Sequence, residues 1–226
     1  MSVSTGYGRF AAAINSLAAV LLLFISAAHA QTAPIKLAIL GDSLTAGYGL
    51  HPEEAYPAKL QAALKAEGRD VTILNQGVSG DTSAGGLDRV DWMLGDKPDI
   101  VMIELGANDA LRGTDPAVTE RTIAEIIEKL QAAHVTVWLA GMMAPRNLGP
   151  QYVEAFDGLY KRLADKYKVP LYPFLLDGVA QDAALNQADG IHPNVKGAAI
   201  VAQRLLPFVN KNLDDYAASV HRPPRP

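Results

Sequence analysis

Five short, mostly apolar runs alternate with longer amphipathic stretches, and this pattern constrains the fold more than any other feature of the chain. The runs are Lys36 to Leu40, Val71 to Asn75, Ile100 to Leu105, Val135 to Ala140 and, more weakly, Pro170 to Tyr172. A strand apolar at successive positions is buried on both faces, and strands separated by helices predict a parallel sheet covered on both sides, an α/β fold. Helices are predicted over Tyr56 to Glu67, Ala84 to Leu94, Pro116 to His134, Gln151 to Lys168 and Asn194 to Asn212. In the third, Ile123, Ile126, Ile127 and Leu130 recur at the 3, 4 and 7 spacing of one buried face, and Thr114-Asp115-Pro116 supplies a cap followed by proline in the first turn.

Residues 1–30 read as an export signal: Arg9 is their one charge, an apolar run spans Leu17 to Ala28, and Ala28-His29-Ala30 fits a small-x-small cleavage site before Gln31. The apolar core is short for a membrane span of about 20 residues, so cleavage is expected rather than an anchor. Residues 31–215 are then expected to form one domain, and residues 216–226 a disordered tail with three prolines near the end. Removing Arg9 leaves 19 basic against 24 acidic residues, a net charge of −5 that argues against a nucleic-acid partner. The absence of cysteine excludes disulfides, a thiolate nucleophile, cysteine-ligated zinc and an N-terminal lipid anchor on cysteine. Export without cysteine points to a periplasmic or secreted protein stabilised by its core, with no stable membrane insertion after cleavage.

The residues able to do chemistry fall at the carboxyl ends of predicted strands, the edge where open α/β sheets bind ligands. Gly41-Asp42-Ser43-Leu44 follows the first, Gly77-Val78-Ser79-Gly80-Asp81 the second, and Gly106-Ala107-Asn108-Asp109 the third. Asp189-Gly190-Ile191-His192-Pro193 precedes the last helix. A serine hydroxyl needs an imidazole to take its proton, and the imidazole needs a carboxylate to fix its tautomer. Beyond residue 30 there are four serines. Ser219 lies in the tail, Ser83 reads as a helix cap and Ser79 as a local hydrogen-bonder in a turn, whereas Ser43 opens a helix directly after a buried strand. Among the histidines, His192 has Asp189 three residues earlier, and Pro193 holds it out of helical geometry. The candidate triad is therefore Ser43, His192 and Asp189, and the candidate oxyanion donors are the Ser43 N–H, the Gly80 N–H and the Asn108 amide. Gly80 and Asn108 also read, one at a time, as a turn glycine and a loop cap. Asp42, Asp81, Asp109 and His192 form no compact metal motif, so no metal is expected, and there is no Gly-x-Ser-x-Gly elbow, Walker A or His-Glu-x-x-His.

Four blocks in order resemble the SGNH, or GDSL, hydrolases: Gly41 to Tyr48, Asn75 to Thr82, Glu104 to Asp109 and Asp189 to Pro193. Within that family, Ser79-Gly80-Asp81-Thr82, Asn108 to Gly113 and Ala155-Phe156 are most similar to the periplasmic lysophospholipase/thioesterase I/protease I, or arylesterase, group. The resemblance implies a three-layer α/β/α sandwich of flavodoxin-like type with a five-stranded parallel sheet. It also implies Ser43, Asp189 and His192 as triad, Ser43, Gly80 and Asn108 as oxyanion hole, and no cofactor. The implied activity is hydrolysis of small-molecule carboxylic esters or thioesters, or of lysolipids, through an acyl-enzyme. A carbohydrate O-deacetylase, or a non-catalytic glycan-binding module on the same fold, are the alternatives. Ala107 departs from the family's Gly-Gly-Asn-Asp, and Met142 to Asn147 diverges. Leu111 to Asp115 and Met142 to Pro150 are expected to border the acyl group, with Leu111, Met142, Met143 and Leu148 as apolar surface.

Overall fold

A computed structural model describes residues 33–220, and the expectations for the export signal and for residues 221–226 lie outside them. The strands are β1 (Ile35–Gly41), β2 (Val71–Gly77), β3 (Ile100–Glu104), β4 (Thr136–Ala140) and β5 (Leu171–Tyr172). They form one all-parallel sheet in the order β2-β1-β3-β4-β5. The helices are α1 (Ser43–Ala46), α2 (Tyr56–Ala66), α3 (Ser83–Leu94), α4 (Ala107–Leu111), α5 (Pro116–Ala132), α6 (Pro150–Tyr167) and α7 (Val195–Val220), with 3₁₀ turns at Pro52–Glu54 and Arg146–Leu148.

Helix α2 packs against α7, while α3, α5 and α6 pack in series. Right-handed crossovers put these groups on opposite faces, because the chain leaves β1 toward β2 in one direction and leaves β2 toward β3, β4 and β5 in the other. Each group contributes the apolar stripe its sequence predicts: Leu60 and Leu64 from α2 with Val201, Leu205 and Val209 from α7, and Ile123, Ile126, Ile127 and Leu130 from α5, all buried. Strand β3 is buried along its whole length, the apolar Ile100 to Ile103 and Glu104 at its end alike.

The strand order reverses between β1 and β3, and there Gly41 faces Glu104 in register. On the other side Gly41 pairs with Gly77, so three strands end level and their loops rise from a common edge. Helix α7 runs to Val220, past the expected domain end at 215. Asp214 binds Arg69 at the end of the α2 side, which holds this last stretch against the body of the fold.

Gly77 shows how closely this edge is packed. A Cβ there would sit 2.2 Å from the backbone nitrogen of Ala46, in the helix that carries Ser43. Gly77→Ala is expected to cost about 1–3 kcal/mol in urea unfolding as α1 is pushed away from β2; unchanged stability would mean that the strand end yields freely.

Candidate active site

Helix α1 starts one residue after β1. Asp42 is its cap, accepting the Leu44 N–H at 2.9 Å through Oδ1, and Gly47 closes the helix in left-handed geometry with its N–H on the Ser43 carbonyl at 3.1 Å. Ser43 is thus fixed in the first turn, half-buried, with its Oγ 2.8 Å from His192 Nε2. Asp189 Oδ2 lies 2.7 Å from the other ring nitrogen, Nδ1, which selects the tautomer with the proton on Nδ1 and leaves Nε2 to accept from serine. Asp189 Oδ1 takes the backbone N–H groups of Ile191 at 2.9 Å and His192 at 3.0 Å. Those backbone bonds, joined by the imidazole, hold the Asp189 carboxyl down at about 2. The loop carrying this pair is stapled by Gln187: its N–H donates to the His192 carbonyl at 2.8 Å, and its amide donates to the Tyr48 carbonyl at 2.6 Å and the Pro193 carbonyl at 3.0 Å.

Asn108, in the first turn of α4, donates one amide hydrogen to the Asp81 carbonyl at 2.8 Å and the other to Asp42 Oδ2 at 3.1 Å. It therefore ties the loop after β2 to the cap of α1. Gly80, in that loop, has φ +86°, a conformation that favours glycine, and a side chain there would project into open space. The backbone N–H groups of Ser43 and Gly80 have no acceptor among the described residues. Two arginines that the sequence did not single out brace the same loop. Arg89 pairs with Asp81 at 2.7 Å and donates to the carbonyls of Gln76 and Gly41, while Arg112 donates to the Gly80 carbonyl at 2.8 Å. Ala107 adopts no left-handed backbone, so the position does not need the glycine that the family often has.

Ser83 is not the cap expected of it. Thr82 caps α3 by accepting the Gly85 N–H, and Ser83 instead donates both its N–H and its hydroxyl to the buried Asp109, at 2.7 and 2.6 Å. Ser79 is exposed in the turn closed by the Asp81 N–H on the Val78 carbonyl.

Beside Ser43 and His192 opens a cavity of about 470 Å³. Leu44, Leu111, Met142 and Met143 line it, together with Phe174 and Leu176 from the segment after β5. Three of the four expected acyl-border residues are there; Leu148 is not among the lining residues, lying in the 3₁₀ turn beyond.

Residues 39–200 match the family described as GDSL-like Lipase/Acylhydrolase. The chain belongs to that family. It is 44% identical over 188 residues to Esterase TesA of Pseudomonas aeruginosa, covering 82% of this chain and 89% of the relative. It is 39% identical over 194 residues to the Thioesterase 1/protease 1/lysophospholipase L1 of Escherichia coli strain K12, covering 84% and 90%. The crystal structure of TesA superposes with a TM-score of 0.75 at 40% identity over 78% of this chain and 98% of that one. A psychrotrophic esterase EstA from Pseudoalteromonas sp., inhibited by monoethylphosphonate, gives 0.76 at 34% identity over 79% and 98%. This GDSL-family chain is a serine ester hydrolase.

Under Ser43 the hydrolase buries acid. Glu104, wholly buried, accepts the Thr45 hydroxyl at 2.5 Å and the Asp42 N–H at 3.4 Å through Oε2, while Oε1 has no partner among the described residues. Burial, with the Asp42 carboxylate beside it, pushes the Glu104 carboxyl well above the ordinary range. Burial also raises Asp42 from 3.8 to about 6, against the lowering effect of the Leu44 N–H and His192.

For Asp42 the sign follows from the folded state binding the proton more tightly than the unfolded chain. Stability is full below 3.8, falls as pH rises toward about 6, and is flat above. The ionised form costs the fold about 3 kcal/mol. Between pH 4 and 7 the wild type is expected to lose stability relative to Asp42→Asn by that order in urea titrations, and parallel pH curves would assign the ionisation elsewhere. Activity should fall in the same variant, because the new NH₂ group faces the Asn108 amide, donor against donor.

Proposed function

We propose that the mature enzyme hydrolyses carboxylic esters or thioesters of apolar acyl groups, lysophospholipids and aryl esters among them, through an acyl-enzyme on Ser43. His192 takes the Ser43 proton as Oγ attacks the carbonyl carbon, and Asp189 stabilises the imidazolium. The proton then passes to the departing alcohol or thiol. Water, activated by the same imidazole, attacks the acyl-serine and releases the acid. The oxyanion is held by the free N–H groups of Ser43 and Gly80 and by Asn108, whose hydrogen on Asp42 at 3.1 Å is the one exchanged while Asp81 keeps the other.

The observation that carries this reading is the unbroken hydrogen-bonded chain from Ser43 through His192 to Asp189, opening on an apolar cavity far larger than an acetyl group needs. Its apolar lining by Leu44, Leu111, Met142, Met143, Phe174 and Leu176 favours an acyl chain over the sugar of a carbohydrate O-deacetylase, and the unengaged N–H groups beside Ser43 favour an enzyme over a glycan-binding module. The names of the relatives, esterase, arylesterase and thioesterase 1/protease 1/lysophospholipase L1, agree with the ester and thioester classes. The apolar run and Ala28-His29-Ala30 of residues 1–30 support export, and no helix among the described residues is long and apolar enough to cross a membrane.

A fluorophosphonate probe should label residues 31–226 at Ser43 alone, and peptide mapping that put the adduct on Ser79, or found none, would reject the mechanism. Turnover of a lysophospholipid should exceed that of an acetylated polysaccharide. Asn108→Ala is expected to lower kcat for an aryl ester about 10²–10³-fold with KM nearly unchanged. It should also cost about 1–3 kcal/mol of stability, because the Asp81 carbonyl and Asp42 lose their donor; a raised KM with kcat intact would make Asn108 a binding residue.

A further inference from the structure

Tyr48 is the aromatic residue whose placement the reaction scheme leaves unexplained. Its ring is more than half exposed, yet it packs on the His192 imidazole with centroids 4.7 Å apart and planes tilted by 39°. The contact is built from both sides. The Tyr48 N–H donates to the Ser43 carbonyl at 3.0 Å, so the ring is tied to the nucleophile's helix. Its carbonyl accepts the Gln187 side-chain amide, which also donates to the Pro193 carbonyl, while the Gln187 backbone N–H grips the His192 carbonyl. The phenolic hydroxyl has no partner among the described residues, so the ring face, not the O–H, makes the contact.

We propose that Tyr48 is a positioning residue for the catalytic base, holding the His192 ring against Ser43 and favouring the imidazolium that forms when the serine proton is taken up. The proposal rests on the reading of His192 as base. Aromatic faces attract cations, so the ring contact is stronger once the imidazole is charged, which is the state on the way to the tetrahedral intermediate. Water is also kept from the covered face of the ring. The other charged groups that meet His192 are Asp189, on its own loop, and Asp42, from the start of α1. Both remain in the variants below and contribute equally to each profile.

The experiment compares Tyr48→Leu and Tyr48→Phe in the mature enzyme on a neutral aryl acetate across pH 4 to 9. Leucine still covers the imidazole with apolar bulk but offers no ring face. The acidic limb of kcat/KM should move to lower pH by about 0.4–0.7 pH unit in Tyr48→Leu, the size of a half-exposed cation–ring contact. Plateau kcat should fall several-fold with little change in KM, and Tyr48→Phe should restore both limb and rate. A Tyr48→Leu limb in the wild-type position, whatever the rate, overturns the proposal, as does a Tyr48→Phe profile matching that of Tyr48→Leu. Fluorophosphonate labelling of Ser43 in the wild type tests the underlying reading separately, since it is lost if Ser43 is not activated and kept if only the Tyr48 proposal fails.

Discussion

The parallel pairing that sets Gly41 opposite Glu104 is the constraint on which the site depends. Parallel strands joined by right-handed crossovers leave two adjacent strands with their following loops diverging to opposite faces, and the gap between those loops is lined by backbone rather than covered by a helix. Here the gap lies between β1 and β3. Ser43 rises from one wall and Asn108 from the other. The level ending of β2 adds the Gly80 loop, which Asn108, Arg89 and Arg112 brace against both neighbours. A slip of one residue between β1 and β3 would turn Glu104 to the opposite face of the sheet and remove the acceptor beneath α1.

Two carboxyl groups flank Ser43, and their surroundings drive them apart. Asp189 is partly exposed and accepts three hydrogen bonds, so it stays ionised through the working range and stabilises a charged imidazole. Asp42 is buried over Glu104 and receives only the Leu44 N–H and the longer bond from Asn108, so its charge is costly near neutrality. Environment alone thus decides which of two identical side chains can serve the base, and it leaves Asp42 to cap the helix and aim the amide.

Much of this was legible because the chemistry needs rare residue types. With four serines and four histidines beyond residue 30, context separated Ser43 and His192 from the others, and the strand runs were long enough to place them on one edge. The parts that were not legible depend on common residues meeting across the fold. Ser83 read as a cap because local spacing permits it, but a buried carboxylate 26 residues away is the stronger acceptor. Arg89 and Arg112 look like ordinary exposed cations until the Gly80 loop lies over them. Leu148 shares its composition with Met142 and Met143, and only the 3₁₀ turn that begins at Arg146 separates it from the cavity wall. Phe174 and Leu176 had no periodic pattern to betray them, since they lie in irregular chain.

That irregular chain raises a physical question, because the base and its acid lie in a loop and catalysis needs placement to a fraction of an ångström. The answer is a dense set of short-range bonds. Asn186 and Pro193 form an antiparallel bridge, Gln187 closes it through the His192 carbonyl, and the Asn194 amide reaches back to the Ala184 and Asn186 carbonyls. Asp189 meanwhile folds its own tip over the N–H groups of Ile191 and His192. Every one of these partners lies within ten residues, so the loop can acquire its shape locally, and the long-range contacts made through Gln187 and Ser43 then need only dock a preformed unit. His192, 149 residues from Ser43, is held this way, with the buried Pro193 and the half-buried Leu185 seating the loop on the core. The core fixes the sheet edge, and the polar bonds of the loop fix the distance across it.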